Sequence, residues 1–118
     1  MTMKRSVIVI DDDEDTVRLF GEFLEERGIK VVGSGYDGIT AIKLYKEKTP
    51  DVVLIDIMMP NGSGFYAIKK IQEINSNAKI IAVSGDGSYS TEEKLEKLSI
   101  PLIRKPFNME QIISVING

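Results

Sequence analysis

The sequence of 118 residues contains neither cysteine nor histidine. Without cysteine there are no disulfide bonds, thiolate zinc sites or thiol catalysis. Without histidine there are no histidine-based catalytic triads, no imidazole metal ligands and no phosphohistidine chemistry within the chain. The net charge of −3 is too acidic to indicate a nucleic-acid-binding surface. Any metal bound by this chain must therefore be held by oxygen ligands.

Long hydrophobic runs are missing as well. The apolar segment 7–10 follows a short basic start and is itself followed by acidic residues. It is too short for the hydrophobic part of a signal peptide or for a membrane span. We therefore expect a cytoplasmic protein with no membrane partner. Apolar residues make up 42% and charged residues 28%, which is typical of a globular protein, and the length suits one domain, 1–118.

Short apolar segments alternate with longer amphipathic ones along the whole chain. Strands are predicted at residues 6–10, 29–32, 52–55, 79–83 and 102–104. The intervening segments carry apolar residues at helical spacing, such as Leu19, Phe20, Phe23 and Leu24 in the first and Ile39, Ile42 and Tyr45 in the second. Five strand–helix units predict an α/β fold. We expect a doubly wound, flavodoxin-like (βα)5 domain whose five-stranded parallel sheet has the order 2-1-3-4-5.

Local signals mark several element boundaries. The segment 33–35, Gly-Ser-Gly, predicts a turn after the second strand. Ser90 with Glu93 has the spacing of a capping box for the fourth helix, and Asn108 with Gln111 has it for the fifth.

Polar side chains follow four of the five predicted strands. Asp11 and Asp12 follow the first strand, Asp56 ends the third, Ser84 ends the fourth and Lys105 ends the fifth. Ligands of open parallel sheets bind beyond the carboxyl ends of the strands, where the strand order reverses. The sequence therefore predicts one site that contains three carboxylates, a hydroxyl and an ammonium group.

Three carboxylates this close repel one another, by about 4 kcal/mol per pair at 4 Å and an effective dielectric constant of 20. A hard cation that accepts oxygen ligands would neutralise them, and Mg²⁺, with Mn²⁺ as a substitute, is expected. Asp56 can then attack phosphorus, while Lys105 and Ser84 meet the phosphoryl oxygens. No nucleotide-binding fingerprint is present, so the phosphoryl group must come from a partner or a small donor.

The chain resembles a response-regulator receiver domain of the stand-alone, chemotaxis-regulator type over essentially its whole length. The segments that carry the resemblance are 7–12, 54–60 with Gly64, 83–85 and 105–107. The resemblance implies these roles: phosphoacceptor Asp56; metal ligands Asp11, Asp12, Asp56 and the backbone carbonyl of Met58; switch hydroxyl Ser84; phosphate-contacting Lys105; and a cis peptide bond before Pro106.

The resemblance also implies how the protein works. The phosphoryl donor is a histidine kinase or a histidine phosphotransfer protein, and the output is an altered contact with a target. That contact is expected on the face built from helix 4, strand 5 and helix 5, unless the domain is a relay. The protein is expected to be a monomeric switch with slow self-catalysed phosphoryl transfer and hydrolysis, and not a conventional enzyme. One departure is Leu102, which occupies a position usually held by an aromatic residue, and Tyr89 is a candidate substitute.

Two other interpretations of the acidic start compete with this one. A Mg²⁺-dependent phosphatase of the haloacid-dehalogenase type needs a motif that Asp13, Asp15 and Val17 match, although they begin two residues after the apolar run. A calcium loop is the second alternative, but Thr16 stands where that loop needs glycine.

Overall fold

The computed structural model describes residues 5–59, 63–85, 88–105 and 108–118. Its elements in chain order are β1 (Ser6–Ile10), α1 (Glu14–Glu26), β2 (Lys30–Gly35), α2 (Gly38–Lys48), β3 (Val52–Asp56), α3 (Ser63–Ile74), β4 (Lys79–Ser84), α4 (Tyr89–Lys97), β5 (Leu102–Arg104) and α5 (Met109–Asn117). Across these ranges, no helix has the length and apolar character that crossing a membrane requires.

The five strands form one parallel sheet in the order β2-β1-β3-β4-β5, which confirms the predicted fold and strand order. From β1 the chain first moves to one edge of the sheet, at β2, and then returns to the other side of β1, at β3. The connections at the carboxyl ends of β1 and β3 therefore diverge, which opens a crevice between them.

The sheet separates two hydrophobic cores. One core lies under α2, α3 and α4 and includes Ile8, Ile10, Val53, Ile55, Ala41, Tyr45, Ile68, Ile71 and Leu95. The other lies under α1 and α5 and includes Val7, Val9, Val52, Leu54, Phe20, Leu24, Ile112 and Ile116. Alternate residues of a strand point to opposite faces, so the uninterrupted apolar runs of β1 and β3 supply both cores at once.

The second strand is longer than predicted, and two glycines within it lie against the neighbouring helix α2. β2 continues through residues 33–35, so the predicted turn there is wrong. A Cβ atom at Gly35 would lie 2.5 Å from Cγ2 of Thr40, and one at Gly33 would lie 3.0 Å from Cδ2 of Leu44. Both contacts come from α2. These glycines therefore let α2 pack closely on β2, and the strand ends only at the second of them, Gly35.

Two apolar residues that fit the predicted helical stripes lie in solvent. Leu19 is 58% exposed and Ile39 is 65% exposed. The sheet covers only a narrow arc of each helix, and in α2 that arc is filled by Ala41 and Tyr45. Periodicity identified the helices correctly but gave them too broad a buried face.

Polar side chains cap the helices. Asp13 accepts a hydrogen bond from the backbone N–H of Thr16 and caps α1, and Asn108 caps α5 as predicted. The cap of α4 is Ser88, whose hydroxyl accepts from the N–H of Thr91, so the prediction of Ser90 was two residues late.

The end of α2 predicts a stabilising substitution. Thr49 has φ 40° and ψ 59°, a left-handed conformation that is costly for a β-branched residue. We expect Thr49→Asn to raise the free energy of unfolding by about 0.5–1 kcal/mol, since asparagine tolerates this conformation better. Urea denaturation measures the change. Lys48→Asn, in the last turn of the same helix, is the control and should lower stability slightly. A Thr49→Asn protein no more stable than the parent would contradict the assignment of strain to Thr49.

Candidate functional site

Two buried carboxylates meet at the carboxyl ends of β1 and β3. Ile10 pairs with Ile55 across the two strands, and Asp11 and Asp56 are the next residue on each. They are only 3% and 5% exposed, whereas Asp12 is exposed. One oxygen atom from each of the three carboxylates lies within 4.8 Å of the others. The parallel register therefore brings together the three acids that the sequence predicted as one cluster.

Backbone hydrogen bonds orient the two buried carboxylates. The N–H of Asp13 donates to Oδ1 of Asp11 at 3.0 Å, and the N–H of Met58 donates to Oδ1 of Asp56 at 2.9 Å. Each acid thus uses one oxygen in a local turn, which leaves Oδ2 available to the crevice. Oδ2 of Asp11 is fully buried and has no hydrogen-bond partner among the residues that the structure describes.

The fourth and fifth strands supply the other polar groups. The backbone N–H of Lys105 donates to the carbonyl of Ser84 at 2.9 Å, which ties the ends of β4 and β5 together. Nζ of Lys105 lies 3.4 Å from Oδ2 of Asp56 and 3.6 Å from Oδ2 of Asp11. Ser84 is completely buried at the end of β4. Lys105 is therefore the cation that faces both buried acids.

The pKa values reflect this crowding. Burial, above all, and the nearby charge of Asp56 raise the pKa of Asp11 to about 6, although the Asp13 N–H and Lys105 act to lower it. Burial acts to lower the pKa of Lys105, but the carboxylates of Asp56 and Asp11 outweigh it and raise that pKa above its usual value. The cluster thus holds three carboxylates and one ammonium group, which faces Asp11 and Asp56, and it keeps an excess of negative charge.

The cluster suits a hard divalent cation. A buried carboxylate oxygen without a hydrogen-bond partner is costly, and Oδ2 of Asp11 is such an atom. It faces two further carboxylates that offer oxygen atoms at short range. Oxygen-rich sites of this charge favour Mg²⁺ or Mn²⁺ over softer metals. The residues present therefore fit the predicted metal.

The third helix packs against this cluster through a glycine. A Cβ atom at Gly64 would lie 2.9 Å from the backbone oxygen of Asp56 and 2.9 Å from Cα of Ile57. The sequence identified Gly64 only through a family resemblance. No local signal reveals this packing, since the two segments meet only in the folded chain.

Other predicted residues have the following positions. Leu102 is half-buried on β5, and with the exposed Tyr89 and Arg104 it lines a groove of about 470 Å³ between α4 and β5. Arg104 forms an ion pair there with Glu92 of α4. Pro106, the candidate for a cis peptide bond, lies outside the described residues, and the metal-binding role of the Met58 carbonyl stays a prediction.

The residues of the alternative phosphatase motif have structural partners of their own. Asp13 caps α1 through Thr16, Asp15 pairs with Arg18 at 3.4 Å, and Val17 is buried in the core under α1. The calcium-loop alternative is likewise unsupported, because most of the segment that would form the loop is helical from Glu14 onward, in α1.

The chain has clear relatives. The sequence model of the response regulator receiver domain matches residues 7–117. The chain is 33% identical over 116 residues to the chemotaxis protein CheY of Thermotoga maritima, covering 98% of this chain and 97% of that protein. It is 31% identical to the CheY of Bacillus subtilis with the same coverage. Among solved structures, the receiver domain of the Francisella response regulator 1452 superposes with a TM-score of 0.87 and 29% identity, over 97% of this chain and 94% of that one.

The raised pKa of Asp11 predicts how stability depends on pH without divalent cations. The folded state favours the protonated acid, so its contribution is full below about pH 4 and is lost as the pH rises through about 6. Up to about 3 kcal/mol of unfolding free energy should disappear over that range. Urea denaturation in EDTA at several pH values measures this loss.

Asp11→Asn keeps an oxygen for the Asp13 N–H and removes the titrating group, so its stability should vary less with pH. Asp15→Asn, on the exposed side of α1, is the control and should follow the parent. Parallel curves for the parent and Asp11→Asn would show that Asp11 does not titrate in this way.

Proposed function

Since this chain belongs to the response regulator receiver domain family, we propose that it is a two-component signalling switch phosphorylated on Asp56. The donor is a phosphohistidine of a histidine kinase or of a histidine phosphotransfer protein. The observation that carries the proposal is the cluster of Asp11, Asp12 and Asp56 with the Lys105 ammonium group 3.4 Å from Asp56.

In the proposed transfer, Oδ2 of Asp56 attacks phosphorus and forms an acyl phosphate. The P–N bond to the donor imidazole breaks, and the imidazole nitrogen keeps the electron pair and takes up a proton. Oδ1 of Asp56 is held by the Met58 N–H, which supports Oδ2 as the attacking atom. The Lys105 ammonium group and the Ser84 hydroxyl would bind phosphoryl oxygens and stabilise their charge as the transfer proceeds.

Phosphorylation and Mg²⁺ binding are features of this family. We propose that Asp11, Asp12, Asp56 and the Met58 carbonyl hold Mg²⁺, with Mn²⁺ as a substitute. When bound, the cation neutralises the carboxylates and polarises the incoming phosphoryl group. The buried Oδ2 of Asp11, which has no hydrogen-bond partner in the described part of the chain, supports this assignment.

We propose that the output is a contact with another protein on the face formed by α4, β5 and α5. The domain acts as a switch and not as an enzyme that turns over a substrate. Lys105 joins the site to β5, whose first residue is Leu102. Leu102 stands where the family usually has an aromatic residue, so an output that depends on an aromatic ring at this position requires another element here. We also propose that residues 1–118 form a single receiver domain and that the protein is a cytoplasmic monomer.

Acetyl phosphate tests the phosphoacceptor. The parent protein incubated with acetyl phosphate and Mg²⁺ should gain the mass of one phosphoryl group in intact mass spectrometry. Asp56→Asn should gain none, because an amide oxygen is a poor nucleophile. Asp13→Asn is the matched control and should be phosphorylated like the parent. An unchanged mass gain in Asp56→Asn, or continuous phosphate release that requires Asp13, would refute the proposal.

Magnesium should stabilise the fold through the three carboxylates. At ten times its dissociation constant, a ligand that binds only the folded state adds about 1.4 kcal/mol, which corresponds to a rise of roughly 4–8 °C in Tm. Asp12→Asn should raise Tm without metal, since it removes one repelling charge, and should reduce the Mg²⁺ shift. Differential scanning calorimetry measures both effects. If neither occurs, the acids do not bind a cation together.

A further inference from the structure

A groove between α2 and α3 lies outside the site described above. Its volume is about 470 Å³, and it is lined by Ile39, Ile42, Lys43, Lys46, Tyr66 and Lys70. Ile39 is 65% exposed and Tyr66 is 48% exposed, although both are large apolar or aromatic side chains. The groove therefore combines an apolar floor with lysines from both helices.

The charge of this α2–α3 groove is opposite to that of the protein. Neither Lys43 nor Lys46 belongs to an ion pair with any residue that the structure describes. Lys70 pairs with Glu73 at 3.5 Å, and its Nζ lies 5.7 Å from the centre of the Tyr66 ring. Three ammonium groups thus face one carboxylate on a chain whose net charge is −3.

A groove on the other side of the sheet is acidic. The groove beside α1 is lined by Glu14, Glu22, Glu25 and Glu26, with Arg18 as its basic residue. The two grooves therefore differ in sign, and a negatively charged partner is attracted to the α2–α3 groove and repelled from the groove beside α1.

We propose that the α2–α3 groove is a docking site for an acidic amphipathic helix of a partner protein. Leucine-like side chains of that helix would pack on Ile39, Ile42 and Tyr66. Its carboxylates would pair with Lys43 and Lys46, which lie three residues apart on one face of α2, and with Lys70 across the groove. An apolar floor between two helices with a charged rim is the usual receptor for such a helix.

The same features argue against two other occupants. Nucleic acid is disfavoured because three lysines on an acidic chain provide a small electrostatic footprint. A membrane is disfavoured because Ile39 is the only apolar or aromatic side chain lining the groove that is more than half exposed, whereas binding to a lipid surface requires a wide protruding apolar face.

A synthetic peptide tests this proposal. The probe is a fluorescein-labelled peptide with leucine at helical spacing and glutamate at the other positions, titrated with the full chain and followed by fluorescence anisotropy. The double variant Lys43→Gln/Lys46→Gln should weaken binding about tenfold, because it removes two charge contacts. Lys30→Gln/Lys48→Gln removes the same charge outside the groove and should weaken it less than about twofold.

A second variant examines the apolar floor. Ile39→Ser leaves the charge unchanged and alters a side chain in solvent, so it should fold normally and weaken binding about fivefold. Backbone amide shifts caused by the peptide should fall in α2 and α3. All variants should still be phosphorylated by acetyl phosphate, which separates a failure of this groove from a failure at Asp56.

Several outcomes would overturn the proposal. They are equal losses in the two double variants, full affinity in Ile39→Ser, amide shifts outside α2 and α3, or no binding of the peptide. Tighter binding to phosphatidylserine-containing vesicles than to the peptide would assign the groove to a membrane and would equally refute the proposal.

Discussion

The parallel pairing of β1 with β3 is the constraint from which the site follows. Asp11 and Asp56 each come one residue after the paired Ile10 and Ile55, so their separation is set by the spacing of neighbouring strands. Two ionised carboxylates so close repel by about 4 kcal/mol at an effective dielectric constant of 20. The strands cannot separate to relieve this repulsion, because their side chains form the centre of both cores.

Several features of the site can be understood as compensation for that repulsion. Backbone N–H groups donate to Oδ1 of Asp11 and of Asp56, and Lys105 places its ammonium group near both Oδ2 atoms. The pKa of Asp11 still rises to about 6, because burial, above all, and the charge of Asp56 outweigh these contacts. The cluster keeps an excess of negative charge, which makes it suitable for a divalent cation.

The same contacts tie the site to distant surfaces. The backbone N–H of Lys105 donates to the carbonyl of Ser84, which links the ends of β4 and β5, and Gly64 packs α3 against Asp56 and Ile57. Two packed elements therefore connect the site to the surface. One leads through β5 to the groove that contains Leu102, and the other leads through α3 to the groove rimmed by Lys70.

The sequence alone predicts those features of the structure that depend on chain order and on the local pattern of residues. The uninterrupted apolar runs of β1 and β3, the alternation of strands with helices and the polar residues at four of the five strand ends were enough to predict the sheet order and to group Asp11, Asp12, Asp56, Ser84 and Lys105. These features are local because the burial and the length of a strand depend on consecutive residues.

Only the tertiary structure decided how closely the elements approach and which surfaces remain uncovered. The sequence predicts a turn at Gly33 and Gly35, but in the structure α2 packs against both glycines. The sequence also places Ile39 on the buried face of its helix, but in the structure Ile39 is exposed to solvent. The raised pKa of Asp11 likewise needs the burial and the neighbours that the fold supplies. Each of these depends on distances between segments far apart in the chain, and a local pattern does not contain such distances.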